Sequence, residues 1–190
     1  MSGLNPIQTE YGGYKFRSRL EARWAVFFDE CNVEWEYEPE GYELPDGTKY
    51  LPDFLLHIKE GRAKGDVYAE VKGVLTAEDE DKIKKFVYCN VDYTYDSEII
   101  NKLIILGNIP REDSVIDMFL YDLEKYDYFF NFVFIDDDWY HALPGISHNG
   151  NLIIDGDQYI ERYDEEKTIN AYRKARQARF EHGETPCGKF

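Results

Sequence analysis

The sequence predicts an α/β chain whose first half runs helix, strand, strand, strand, helix, strand, with an α+β extension behind it. Three observations carry this. Leu20, Trp24, Phe27, Phe28 and Cys31 recur on one helical face. Tyr50 to Ile58 and Asp66 to Lys72 have the length and composition of strands, and the polar stretch Lys59 to Gly65 separates them as a loop. Leu103 to Leu106 is wholly apolar, as expected of a strand covered on both faces.

Taken in order, Gly12-Gly13 marks a turn. Ser18 is a good N-cap for the first helix, which is expected to end near Asn32. Val33 to Tyr37 alternates as a strand does, and Pro39 and Gly41 break it. Asp46-Gly47 is a hairpin signal, Pro52 stands near the entrance of the second strand, and Gly73 stops the third. Thr76 to Asn90 reads as a helix. Thr76 can cap it, and Glu78, Asp79 and Glu80 in its first turn suit the helix dipole. Residues 1–110 form the expected core, and 111–190 an extension packed on it. In the extension, Ser114 to Tyr126 reads as a helix, and Tyr128 to Ile135, Trp139 to Leu143 and Leu152 to Ile154 as strands. Asn149-Gly150 and Asp155-Gly156 are turn signals on either side of the last strand. Glu165 to His182 is a closing helix with Ile169, Tyr172, Ala175 and Phe180 turned inward.

Composition narrows the function. Of 190 residues, 43% are hydrophobic and 16% aromatic, which favours a packed core over disorder. No apolar run approaches the roughly 20 residues of a membrane span, so no membrane partner is expected. Met1 to Glu10 lacks the basic start and apolar stretch of a secretory signal. Cys31, Cys89 and Cys187 are an odd count at wide spacings, which points to reduced thiols in a cytoplasm and away from a disulfide frame or zinc site. The net charge of −16 argues against a protein that coats nucleic acid. The charge is uneven, however. Lys15, Arg17, Arg19 and Arg23 cluster near the start, and Arg173, Lys174, Arg176 and Arg179 near the end. Between Arg111 and Glu165 acids dominate. Two basic segments can still hold a polyanion where they meet in space. The N-terminal one is the better candidate for nucleic acid, because it neighbours Glu21, whereas Arg173 to Arg179 also reads as a solvated helix face.

Four residues stand out by chemistry. Asp53 follows Pro52 in an apolar strand. Glu70 and Lys72, two apart on a strand, leave from one face. A hairpin of the two strands brings Asp53 and Glu70 onto one cation, and hard divalent ions prefer such oxygen ligands. Lys72 then stands beside an attacking water. Glu21 on the first helix can approach the same cluster. Plainer readings compete with these. Ser18-x-x-Glu21 is also a capping box, Asp53 can cap a turn, and Glu70 with Lys72 can be a solvated pair. His57 shares a strand face with Asp53 and Leu55, as a pocket residue or a satisfied edge histidine. His141, His148 and His182 have no metal-ligand spacing. Asp136-Asp137-Asp138 reads as a solvated turn.

Pro52-Asp53 followed by Glu70-Val71-Lys72, behind a helix bearing Glu21, resembles the PD-(D/E)XK nuclease superfamily. Ser18-Arg19-Leu20-Glu21-Ala22-Arg23-Trp24 and Tyr37-Glu38-Pro39-Glu40-Gly41 are similar to stretches of phage and mobile-element nucleases and of the endonuclease subunit of heteromeric transposases. The likeness covers Tyr11 to Leu106, with an echo at Ala175 to Glu184 that carries no chemistry. It implies a restriction-endonuclease-like αβββαβ core around a central mixed sheet. Asp53 and Glu70 would be ligands of Mg2+ or Mn2+, joined by the Val71 carbonyl and by Glu21. Lys72 would be the catalytic lysine. The activity implied is hydrolysis of DNA phosphodiester bonds, in the cytoplasm of a bacterial host cell. Two alternatives stay open: a non-catalytic acidic DNA mimic that occupies a host enzyme, and a nuclease subunit that needs a protein partner.

Overall fold

The computed structural model describes residues 7–89, 102–119, 132–135, 138–141, 143–155 and 157–180. The chain opens on a hairpin, β1 (Thr9–Tyr11) and β2 (Tyr14–Phe16). Its turn residues Gly12 and Gly13 have φ of 57° and 83°, the left-handed region that a two-residue hairpin turn of this kind demands. Helix α1 (Arg19–Glu30) follows, with the Ser18 hydroxyl accepting the Glu21 backbone N–H at 3.2 Å. It ends where Asn32 adopts φ 51° and the N–H groups of Asn32 and Val33 donate to Asp29 and Phe28. This is the Schellman arrangement, with asparagine in place of the commoner glycine.

Strand β3 (Glu34–Tyr37) leads to a small hairpin, β4 (Tyr42–Glu43) and β5 (Lys49–Tyr50), closed through Asp46-Gly47. Then come β6 (Phe54–Ile58), β7 (Gly65–Val71), α2 (Ala77–Cys89), β8 (Lys102–Leu106) and α3 (Glu112–Phe119). The last stretch holds β9 (Phe132–Ile135), β10 (Asp138–His141), β11 (Leu143–Ile146), β12 (Leu152–Asp155), a 3-10 segment (Asp157–Arg162) and α4 (Glu165–Gln177). Among the described residues no helix is long and apolar enough to cross a membrane.

Six strands form one mixed sheet in the order β10-β9-β8-β7-β6-β3. Only the β7–β8 pair is parallel, as the α2 crossover between them permits. Alternation assigns the two faces. Phe54, Leu56, Ile58, Val67, Ala69, Val71, Ile104 and Leu106 join a core with α1, α4 and the first hairpin. Leu103 and Ile105 face the other way, onto Ile83, Phe86 and Val87 of α2 and Leu44 and Tyr50 of the small hairpin. Helices α1 and α4 meet through Phe27 and Tyr172, stacked with centroids 4.4 Å apart. Glu60, beyond β6, accepts hydrogen bonds from Ser147, Asn149 and Asn151 and so ties that turn to the turn between β11 and β12.

Three expectations are refined. The strand expected from Tyr50 to Ile58 is two elements, since Tyr50 closes β5 and β6 begins at Phe54. Pro52, with no N–H, stands at the break. The strand expected from Trp139 to Leu143 divides between β10 and β11. The closing helix α4 ends at Gln177, short of the expected His182; its inward positions are Thr168, Ala171, Tyr172 and Ala175, Ile169 is partly covered, and Phe180 packs on the core from beyond the helix. Asn90, residues 120–131, Asp136-Asp137, Gly156, His182 and Cys187 lie outside the described residues.

Candidate active site

Strands β6 and β7 pair antiparallel with Phe54 opposite Ala69. One step further along this register, Asp53 comes opposite Glu70. Both are buried, at 3% and 4% exposure, and Glu21 is buried at 7%. Burying carboxylates is costly unless each is paired and hydrogen-bonded, and each of these is. Asp53 Oδ2 accepts the Val71 backbone N–H at 2.7 Å, and Asp53 Oδ1 meets Arg17 Nη2 at 2.5 Å. Glu70 Oε2 accepts the Tyr50 hydroxyl at 2.8 Å, and Glu70 Oε1 lies 2.9 Å from Lys72 Nζ. Lys72 Nζ also lies 3.1 Å from Asp79 Oδ1, and its backbone N–H donates to Leu106 O at 2.8 Å.

Glu21 combines two of the roles its sequence allows. Its Oε1 accepts the Ser18 hydroxyl at 2.7 Å and its Oε2 accepts the Arg17 N–H at 3.1 Å, so the capping function is met one residue earlier than the usual box. The Tyr37 hydroxyl donates to the same Oε2 at 2.6 Å. Glu21 is also close enough to Asp53 for its charge to raise the Asp53 pKa.

The electrostatics identify a surplus of negative charge. Burial first, then the charges of Glu70 and Glu21, push the Asp53 carboxyl up to about 8, against the opposing pull of the Val71 N–H and Arg17. Burial pulls Lys72 down, but Glu70 and Asp79 outweigh it and hold the ammonium above its ordinary value. Burial and Glu70 raise the Tyr50 phenol, and burial and Glu21 raise that of Tyr37. Both therefore stay protonated as donors.

The donor set suits a hard cation. Asp53 and Glu70 offer carboxylate oxygens, and the Val71 carbonyl follows on the same strand. Among the described residues no group of three or more His, Cys, Asp or Glu is arranged to hold a metal ion. A two-carboxylate site completed by water is the usual arrangement for magnesium, and a bound cation would favour the ionised form of Asp53 against the burial and neighbouring carboxylates that raise it.

The predicted nucleic-acid residues separate. Lys15 is exposed on β2. Arg17 enters the site itself, with Nε 2.9 Å from Glu38 Oε1. Arg19 and Arg23 lie one turn apart on α1. Burial, then the charges of Arg176 and Arg19, lower the Arg23 pKa, so the two basic segments of the sequence do meet. Arg176 Nη1 donates to Ile109 O at 3.0 Å, and Arg23 Nε is buried with no hydrogen-bond partner. Arg173 and Lys174 pair with Glu112 and Glu30 on the helix face. His57 is satisfied between Asp66 at 2.7 Å and Glu36 at 3.0 Å, but β6 is paired on both sides, by β7 and β3, so it is not an edge histidine.

Sequence reasoning missed Tyr50 and Asp79 and gave no role to Tyr37 or Glu38. Asp79 had a signal, as the partner of the Thr76 cap three residues earlier, which its carboxylate and backbone N–H both engage. Comparison with models of known protein families, with curated proteins and with solved structures finds no match.

Proposed function

We propose that this chain is a metal-dependent nuclease of the PD-(D/E)XK kind, hydrolysing DNA phosphodiester bonds in the manner of phage and mobile-element nucleases. One observation carries the reading: buried Asp53 and Glu70 stand side by side on paired strands, with Lys72 on the same face 2.9 Å from Glu70. Asp53, Glu70 and the Val71 carbonyl would hold Mg2+ or Mn2+, which supplies Lewis-acid activation of water and of the phosphoryl oxygens. The chain's own residues do the rest. Asp79 and Glu70 fix the Lys72 ammonium as a proton-bearing donor for the attacking water or for charge that develops on the phosphate. Tyr50 fixes the second Glu70 oxygen. Glu21, held by Tyr37 and Ser18, keeps negative charge next to Asp53 without joining its hydrogen bonds. Arg23 on α1 and Arg176 on α4, near enough that the charge of Arg176 lowers the Arg23 pKa, would offer cationic contacts for the polyanion backbone.

The test is cleavage of plasmid and linear DNA in Mg2+ or Mn2+ by the wild type, Asp53→Asn and Lys72→Met. The expected result is cleavage by the wild type and a loss of at least about a hundredfold in either variant, the order of effect for removing a preorganised electrostatic group. Equal rates in all three would overturn the assignment.

A further inference from the structure

Arg17 is bound where the proposed metal would bind. Its Nη2 lies 2.5 Å from Asp53 Oδ1, and its Nε 2.9 Å from Glu38 Oε1. Asp53 is buried and its other oxygen already accepts the Val71 N–H. A metal ion binding the Asp53 carboxylate would meet the positive charge of a guanidinium 2.5 Å from Oδ1, and the two cations repel. Glu38 is held for its part at a cost. Its φ is 48°, a left-handed conformation uncommon for a residue with a side chain, and its N–H donates to Asp53 O at 2.9 Å. The backbone that receives Asp53 thus also presents the Glu38 carboxylate to Arg17. Lys72 repeats the pattern, with one carboxylate inside the proposed ligand pair, Glu70, and one outside it, Asp79.

We infer that Arg17 is an exchangeable internal counter-cation: a divalent metal displaces it from Asp53, Glu38 retains it at the rim of the site, and there it becomes a ligand for the substrate phosphate. Glu38 is then a positioning residue. This rests on the nuclease reading above, and it adds that metal and substrate binding are linked through one side chain. The guanidinium fork suits phosphate, and Arg17 is half exposed, which leaves it room to turn. No bond is made or broken in the exchange. The metal gains the Asp53 oxygen, and Arg17 trades a carboxylate for a phosphate oxygen.

The experiment is calorimetric titration of Mn2+ into the full chain, without nucleic acid and at mildly alkaline pH, so that a proton does not take the place Arg17 leaves. Wild type, Arg17→Met, Glu38→Gln and Asp53→Asn are compared. Arg17→Met is expected to bind Mn2+ about fivefold more tightly than wild type, the scale of a half-exposed ion pair. Glu38→Gln, which removes the group that retains the displaced Arg17, should weaken it, and Asp53→Asn should abolish it. In Ca2+, DNA binding by Arg17→Met should show a logarithmic salt slope lower by about 1, the loss of one phosphate contact. Glu38→Gln keeps the test open should Arg17→Met fail to fold. Unchanged or weaker Mn2+ binding in Arg17→Met, or unchanged or tighter binding in Glu38→Gln, with Asp53→Asn still abolishing it, overturns the exchange and leaves the nuclease site standing. No Mn2+ uptake by the wild type overturns both.

Discussion

Asp53 sits between two other buried carboxylates and one guanidinium, and its proton affinity shows which side prevails. Its carboxyl rises from 3.8 to about 8 through burial, Glu70 and Glu21. An acid raised on folding stabilises the fold fully below its unfolded pKa, and that contribution is lost as pH climbs through the folded value. In chelator, Asp53→Asn should therefore melt higher than wild type, by a margin that grows from about pH 4 to about pH 8 and then levels. Melting curves across that range check this, and a margin that does not change with pH would count against it. Tyr50→Phe removes the hydroxyl from a buried carboxylate and should cost about 1.5–3 kcal/mol, read from denaturant unfolding. At this scale Asp53, Glu70 and Lys72 were legible because strand parity is local: two residues apart means one face. Tyr37, Glu38 and Tyr50 were not, because β3 and the β4–β5 hairpin reach the site only through long-range pairing.

Among the elements, β11 has the tightest tolerance. A Cβ on Gly145 would lie 2.7 Å from Tyr163 Cδ1 and 2.9 Å from Thr168 Cγ2. Tyr163 cannot easily give way, since its hydroxyl donates to Leu143 O at 2.6 Å and accepts the Asp155 N–H at 2.7 Å. Gly145→Ala should cost about 1–3 kcal/mol, as overpacking does, and lower the melting temperature without touching Asp53, Glu70 or Lys72. The turn residue Glu38 should behave oppositely. Glu38→Gly removes the strain of φ 48° and is expected to change stability by less than about 1 kcal/mol while releasing Arg17. Element types read well where the local signal was strong, apolar periodicity in α1 and the Thr76 cap with first-turn acids in α2. The break at Pro52 was hidden because Tyr50 and Phe54 both suit strands, and only the absent N–H of proline at the entrance hinted that the run was two pieces.

On the scale of the molecule, the proposed nuclease reading asks a chain of net charge −16 for a grip on polyanions. The meeting of Arg23 and Arg176 across two helices offers that grip. Replacing both with alanine should weaken DNA binding on all sequences alike and lower the salt slope by about 2, measured in Ca2+. The sequence separated these arginines by 153 positions of acidic chain, and no periodicity reports that α1 and α4 touch. The same holds for the sheet. That β9 and β10 would continue it beyond β8 depends on strand pairing at long range, which alternation within a strand does not reveal.

That contact between α1 and α4 has a consequence in time. Phe27 and Tyr172 stack at 4.4 Å across most of the chain's length. A growing polypeptide emerges from the ribosome with its Glu21 helix long before the helix it packs against exists. Glu21 takes its partners Arg17, Ser18 and Tyr37 from the same early stretch, whereas the buried aromatic face of its helix waits for Tyr172. Chains stalled before Glu165 should therefore leave Trp24 and Phe27 without Tyr172 and bind an apolar dye more strongly than chains that extend through Gln177.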